Sequence, residues 1–120
     1  MADRMLFIGW GTPVRGMEAR GLEVLGDALG LLGRMQQDGR IESFDVTLLA
    51  PNGNLNGYVE VHGSSEQINA MRDDEEFIRS TLDAALIVDN LRHIEGYTNQ
   101  GVARQLEMWR EAIAKVPQGA

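Results

Sequence analysis

An α+β fold, four strands covered by helices, is what this sequence predicts, and three observations predict it. Residues 42–49 and 58–62 alternate apolar and polar side chains, the period-two signature of half-buried strands. Residues 16–38 and 102–116 instead repeat apolar side chains at three- and four-residue steps, the signature of one helix face. Between the two alternating segments lies Pro51-Asn52-Gly53-Asn54-Leu55-Asn56-Gly57, dense in turn formers, which makes those strands a hairpin.

The elements follow in order. Met5-Leu6-Phe7-Ile8-Gly9-Trp10 is short, apolar and bounded by Gly11-Thr12-Pro13, as a buried strand should be. From about Gly16 to Asp38, Leu22, Leu25, Leu29 and Leu32 mark the inward face of a long helix, and Gly39 suits the left-handed position that ends it. Such a helix, roughly 34 Å long, must overhang a seven-residue strand of about 23 Å. In the second strand Phe44, Val46 and Leu48 alternate with Ser43, Asp45 and Thr47; Tyr58-Val59-Glu60-Val61-His62 forms the third. Ser64 stands three residues before Gln67, a capping box. Asp73-Asp74 gives a second helix start, so a broken helix pair runs to about Asp89. His93 to Asn99 reads as the fourth strand. Val102, Leu106, Trp109, Ile113 and Val116 make one stripe of a C-terminal helix over about 102–116.

This order, βαββαβ and then a helix, is that of a ferredoxin-like sandwich. Its sheet is antiparallel, its first and third strands are central, and both crossover helices lie on one face. One domain spanning residues 1–120 is expected. The other face of the sheet is left open, yet the first strand is apolar on both sides, at Leu6, Ile8 and Trp10 and again at Met5 and Phe7. A central strand of that kind asks for cover on both faces. By alternation the open face carries Trp10 or Phe7 with Asp45, Thr47, Tyr58, Glu60, His62, Tyr97 and Asn99. That mixture suits a ligand cavity or a wet interface.

Composition narrows the function. The 120 residues carry 11 Lys and Arg against 18 Asp and Glu, a formal charge of -7, which argues against nucleic acid as a partner. There is no cysteine, so a disulfide scaffold, a thiolate catalyst and a cysteine metal site are excluded. No apolar stretch approaches the roughly 20 residues that span a bilayer, and no signal pattern opens the chain. A cytoplasmic protein with no membrane partner is expected. A compact monomer of 13.3 kDa should expose about 6,500 Å².

With its apolar first strand Met5–Trp10 and its helix broken around Asp73-Asp74-Glu75-Glu76-Phe77, the chain resembles the dimeric α+β barrel superfamily along nearly its whole length. The resemblance implies a homodimer, or a higher homo-oligomer, built sheet against sheet with a pocket in or beside each sheet. Members of that superfamily include cofactor-free monooxygenases of quinol-like substrates, small isomerases, haem proteins and small bacterial proteins of open role. Its YCII-type barrels would use a His–Asp pair; here His62 has Glu60 and Asp45 as neighbours.

The residues of the third strand carry the candidate chemistry. Glu60 and His62 are two apart on one strand, so they project from one face with Cα atoms about 6.6 Å apart. A carboxylate there can hold the imidazole's tautomer while its other nitrogen takes a substrate proton. His62 is therefore the candidate base and Glu60 its orienting partner. Tyr58 and Tyr97 would supply hydroxyl donors, and Trp10, Asp45, Thr47 and Asn99 would shape the substrate pocket. The contrasting reading is a polar stripe hydrogen-bonded across a subunit contact.

Other features read as ordinary structure. His62, Glu60 and Asp45 fall short of a convergent metal-ligand set, and no HxH or HxxxH spacing exists, so no metal is expected. No helical histidine offers haem a proximal ligand. Gly9-Trp10-Gly11 lacks the third glycine of the dinucleotide fingerprint, since position 14 is Val. Asp73 to Glu76 are helix-dipole complements. Gly26, Gly30 and Gly33 mark either a close helix approach or a broken helix. The function expected is a small organic molecule bound in a dimeric barrel, with cofactor-independent oxygenation or isomerisation as its chemistry. The alternative is a non-catalytic metabolite-binding or assembly module.

Overall fold

A computed structural model describes residues 2–117. The order is β1 (Arg4–Trp10), α1 (Glu18–Gln37), β2 (Ser43–Leu48), β3 (Gly57–Gly63), α2 (Ser65–Asp73), α3 (Glu75–Ala85), β4 (Arg92–Tyr97) and α4 (Gln100–Ala114). The sheet runs β2-β3-β1-β4 with every pair antiparallel. The first and third strands are thus central, and α1, α2 and α3 lie on one face.

Local sequence explains most element ends. Ser64 accepts from the Gln67 backbone while the Gln67 side chain accepts from the Ser64 backbone, so the capping box is formed. Asp74 ends α2 and caps α3 by accepting from the Phe77 N–H at 3.0 Å. Gly39 takes its positive φ of 73° just beyond the end of α1. That helix starts at Glu18, two residues later than the sequence reading, because Gly16 at φ 89° lies outside helical geometry. It is unbroken through Gly26, Gly30 and Gly33, and a methyl added at Gly26 or Gly33 would meet open space. Neither a break nor a close approach within the described residues accounts for those glycines.

The core lies between sheet and helices: Leu6, Val59 and Val61 meet Leu31, Leu32, Met35, Ile41, Ile68, Met71 and Phe77. The buried face of α1 is therefore Val24, Leu31, Leu32 and Met35, rotated from the expected leucine stripe. Leu22 of that stripe is 73% exposed.

Two surfaces stay uncovered. Among the described residues no helix lies over the far face of the sheet. Helix α4 leaves the body after Gly101 packs against the Asp3 backbone, and its Trp109 is 62% exposed. The radius of gyration is 17.1 Å, against about 13.6 Å for a compact domain of this length. The chain exposes 7992 Å², roughly 1,500 Å² more than the mass scaling allows a compact monomer.

Candidate functional site

Strand register decides which side chains share a face. Leu6 sits opposite Val61 and Glu95, and Ile8 opposite Val59 and His93, so these point toward the helices. The open face carries Met5 and Phe7 of β1, Asp45 and Thr47 of β2, Tyr58, Glu60 and His62 of β3, and Arg92, Ile94 and Gly96 of β4.

Five of the eight expected site residues therefore do come together there: Asp45, Thr47, Tyr58, Glu60 and His62. The His62 Nε2 lies 3.5 Å from a Glu60 oxygen and 3.8 Å from an Asp45 oxygen. Phe7 stacks on Tyr58 with ring centroids 5.1 Å apart. No group of three or more His, Asp or Glu among the described residues is arranged to hold a metal ion.

The other three lie elsewhere. Tyr97 is on the helix side, paired with Arg4, whose guanidinium lies 4.6 Å from its ring. Glu95 shares that side and meets Arg72 of α2 at 3.4 Å. The strand ends at Tyr97, and Asn99 belongs to the turn that begins α4. At φ 51° its amide donates to the Ala2 carbonyl at 2.5 Å, a structural tie for the N-terminal segment. Trp10 also lies on the helix side, since β1 places Phe7, not Trp10, on the open face.

The side occupied by Trp10 holds a cavity of about 540 Å³. That is within the roughly 300–1,000 Å³ range of small-ligand sites. It sits under the N-terminal half of α1, against α3, β1 and the β2–β3 loop. Its walls are mainly apolar, with Ile8, Leu25, Leu31 and Phe77, and its rim includes the exposed Leu22 and Leu48. Small residues facing the sheet, Gly21 and Ala28 on α1 and Ser80 and Ala84 on α3, leave the space. Gly57 lets Trp10 lie flat at one wall, because a Cβ there would stand 2.7 Å from the indole and 2.9 Å from the Thr47 carbonyl oxygen.

His93 is the imidazole that lines this cavity, and its ring lies 5.6 Å from Phe77. Burial, helped by the positive charge of Arg72, pushes its pKa below the usual histidine value. Both act against a second positive charge, so the neutral ring, one donor and one acceptor, is favoured. Glu18, Asn56, Ser80 and Thr81 add the remaining polar groups. The Thr81 hydroxyl is already committed to the Phe77 carbonyl at 3.0 Å.

Comparison of the whole fold finds similar solved structures. A dimeric protein of unknown function from Bacteroides fragilis with a ferredoxin-like fold superposes with a TM-score of 0.60 at 10% identity, over 79% of this chain and 96% of its own. The fold is ferredoxin-like. SnoaB of Streptomyces nogalater, a cofactor-independent oxygenase, shares this ferredoxin-like architecture with a TM-score of 0.51 at 17% identity, over 82% of this chain and 93% of that one. A Chloroflexus aurantiacus protein provisionally named an antibiotic biosynthesis monooxygenase gives 0.56 at 14%, over 81% and 94%. No family model matches the sequence, and no curated protein matches it. None of the helices described is long and apolar enough to cross a membrane.

Proposed function

We propose that this ferredoxin-like chain is the subunit of a homodimer, and that each subunit binds a small, mainly apolar organic molecule between its sheet and α1 and α3. The apolar 540 Å³ cavity with a half-buried imidazole in its wall carries the reading. The favoured chemistry is cofactor-independent oxygenation or isomerisation begun by proton transfer. A neutral His93 accepts a proton from an acidic C–H or O–H of the ligand, leaving an electron-rich anion. That anion either reacts with dioxygen or is reprotonated at another carbon. The mainly apolar walls offer few other groups to compete for the proton. SnoaB, an oxygenase of the same fold, supports this choice.

On this reading the base is His93 and not His62, because His93 is the imidazole that lines the cavity. His62, Glu60, Asp45, Thr47 and Tyr58 belong on this reading to the subunit contact. That contact is supported by the uncovered sheet face, by the exposed α4, and by the dimeric state of the Bacteroides neighbour. The same two surfaces favour the second reading, a non-catalytic assembly module, if the cavity takes no ligand.

A fluorescence titration tests the cavity. With Trp109→Phe, Trp10 is the sole indole, since the chain has two Trp residues. Binding of an apolar fluorophore such as anilinonaphthalene sulfonate should then draw energy transfer from Trp10. Ala28→Phe, which fills the cavity, should abolish that transfer. Equal transfer in a folded Ala28→Phe protein would contradict the site.

A further inference from the structure

The cavity beneath α1 and α3 crosses the sheet from edge to edge, and its two ends differ in chemistry. One row of side chains along its floor is Val59, Ile8 and His93, and the next row is Leu48, Gly57 and Trp10. His93 belongs to β4 at one edge of the sheet and Leu48 to β2 at the other. Three strand spacings separate those edges, about 14 Å. The His93 end is polar. Phe77 of α3 lies 5.6 Å from the imidazole, and Ser80 and Thr81, one helical turn further along α3, also line the cavity. The Leu48 end is apolar and open. There Leu22, Leu48 and Leu49 line the cavity while 73%, 69% and 37% exposed. Glu18, a lining carboxylate, is already committed to the Gly16 N–H at 2.9 Å.

We propose that the ligand is an unbranched amphiphile, with an uncharged oxygen-bearing head at His93 and an alkyl tail that leaves the cavity over Leu22 and Leu48. The proposal rests on the cavity reading above and names the class of molecule bound there. A single exposed leucine is commonplace, but these adjoin at the mouth of an apolar cavity. An alkyl chain leaving by that mouth takes their surface out of water together with its own, and no part of the protein has to move. A short ligand held wholly inside leaves this collar bare. The head is set by the other end. A neutral imidazole has one donor and one acceptor, which suits a carbonyl with an acidic C–H beside it, or a hydroxyl. Arg72 is already paired with Glu95 at 3.4 Å, so a carboxylate head gains little from its charge.

Calorimetric titration with methyl propyl, methyl hexyl and methyl nonyl ketone tests this. The three share one enolisable head and differ only in the tail. Affinity should rise about two- to fourfold with each methylene, as for an alkyl chain partly or wholly buried. The nonyl tail is the one long enough to reach the collar. Leu22→Asp/Leu48→Asp should therefore remove most of the gain between the hexyl and the nonyl ketone. Ala28→Phe should abolish binding of all three. Circular dichroism on each variant separates lost folding from lost binding. Equal affinity at every length overturns the tail and leaves the cavity reading standing, and so does a folded double variant that keeps the full gain. A double variant that, without ligand, sediments as a smaller species than wild type assigns the collar to a second copy and also overturns the tail. Failure of all three ketones to bind, or binding that survives in folded Ala28→Phe, overturns the cavity reading as well.

Discussion

His62 and His93 stand on opposite faces of one four-stranded sheet, the first among carboxylates on the uncovered side and the second at the wall of the cavity. The chain's two imidazoles are thereby assigned to different tasks. His93→Gln should weaken or abolish any ligand turnover while leaving the association of subunits unchanged. His62→Ala should leave ligand affinity within about twofold, as expected for a site this far away. Ligand titration and sedimentation run on the same two variants check the division. Loss of turnover in His62→Ala with retention in His93→Gln would reverse the assignment.

Stability should depend on pH through His93. Its folded pKa is lowered from 6.5, so the unfolded chain holds the proton more readily between the two values. The contribution is fully present above the unfolded pKa and is lost as pH falls toward the folded one. Denaturant titrations between pH 8 and pH 5 should show wild type losing stability across this window. His93→Gln should lose less, and the difference between the two curves isolates this residue from His62.

The junction between α2 and α3 depends on Asp74. Its carboxylate accepts from the Phe77 N–H and pairs with Arg40 at 2.8 Å, and these hold its pKa below the usual carboxylate value. Asp74→Ala should cost about 1 kcal/mol, most of it from the lost cap, because the ion pair is partly exposed. Asp74→Asn should retain most of the cap. The Asp74 contribution is present above the ordinary Asp pKa and is lost as pH falls through the lowered one. Thermal melts of both variants at neutral pH check the order.

Much of the fold was legible because its signals are local. The apolar β1, the turn-rich segment before Gly57, the Ser64–Gln67 box and Gly39 each act within a few residues, and each sits where the sequence put it. The faces of β4 were not legible. Glu95 and Tyr97 look like solvent-facing partners of Ile94, yet pairing with β1 sets Glu95 beside Leu6, toward Arg72, and turns Ile94 to the open side. An edge strand with so few apolar residues does not declare its own register. Phe7 and Trp10 are both large and apolar, and only their positions along β1 separate them. The cavity was hidden for a different reason. It comes from small residues on two helices, Ala28 and Ala84 among them, that face each other only after folding. Read as pairs facing a sheet, those small residues were the available signal.

The central claim is a dimer whose subunits each hold a small molecule, and native mass spectrometry of protein gently purified from its own host tests it directly. The expected result is a two-chain species that sheds a small organic mass when the same sample is denatured. A single-chain species, or a dimer whose native and denatured masses agree, would contradict it.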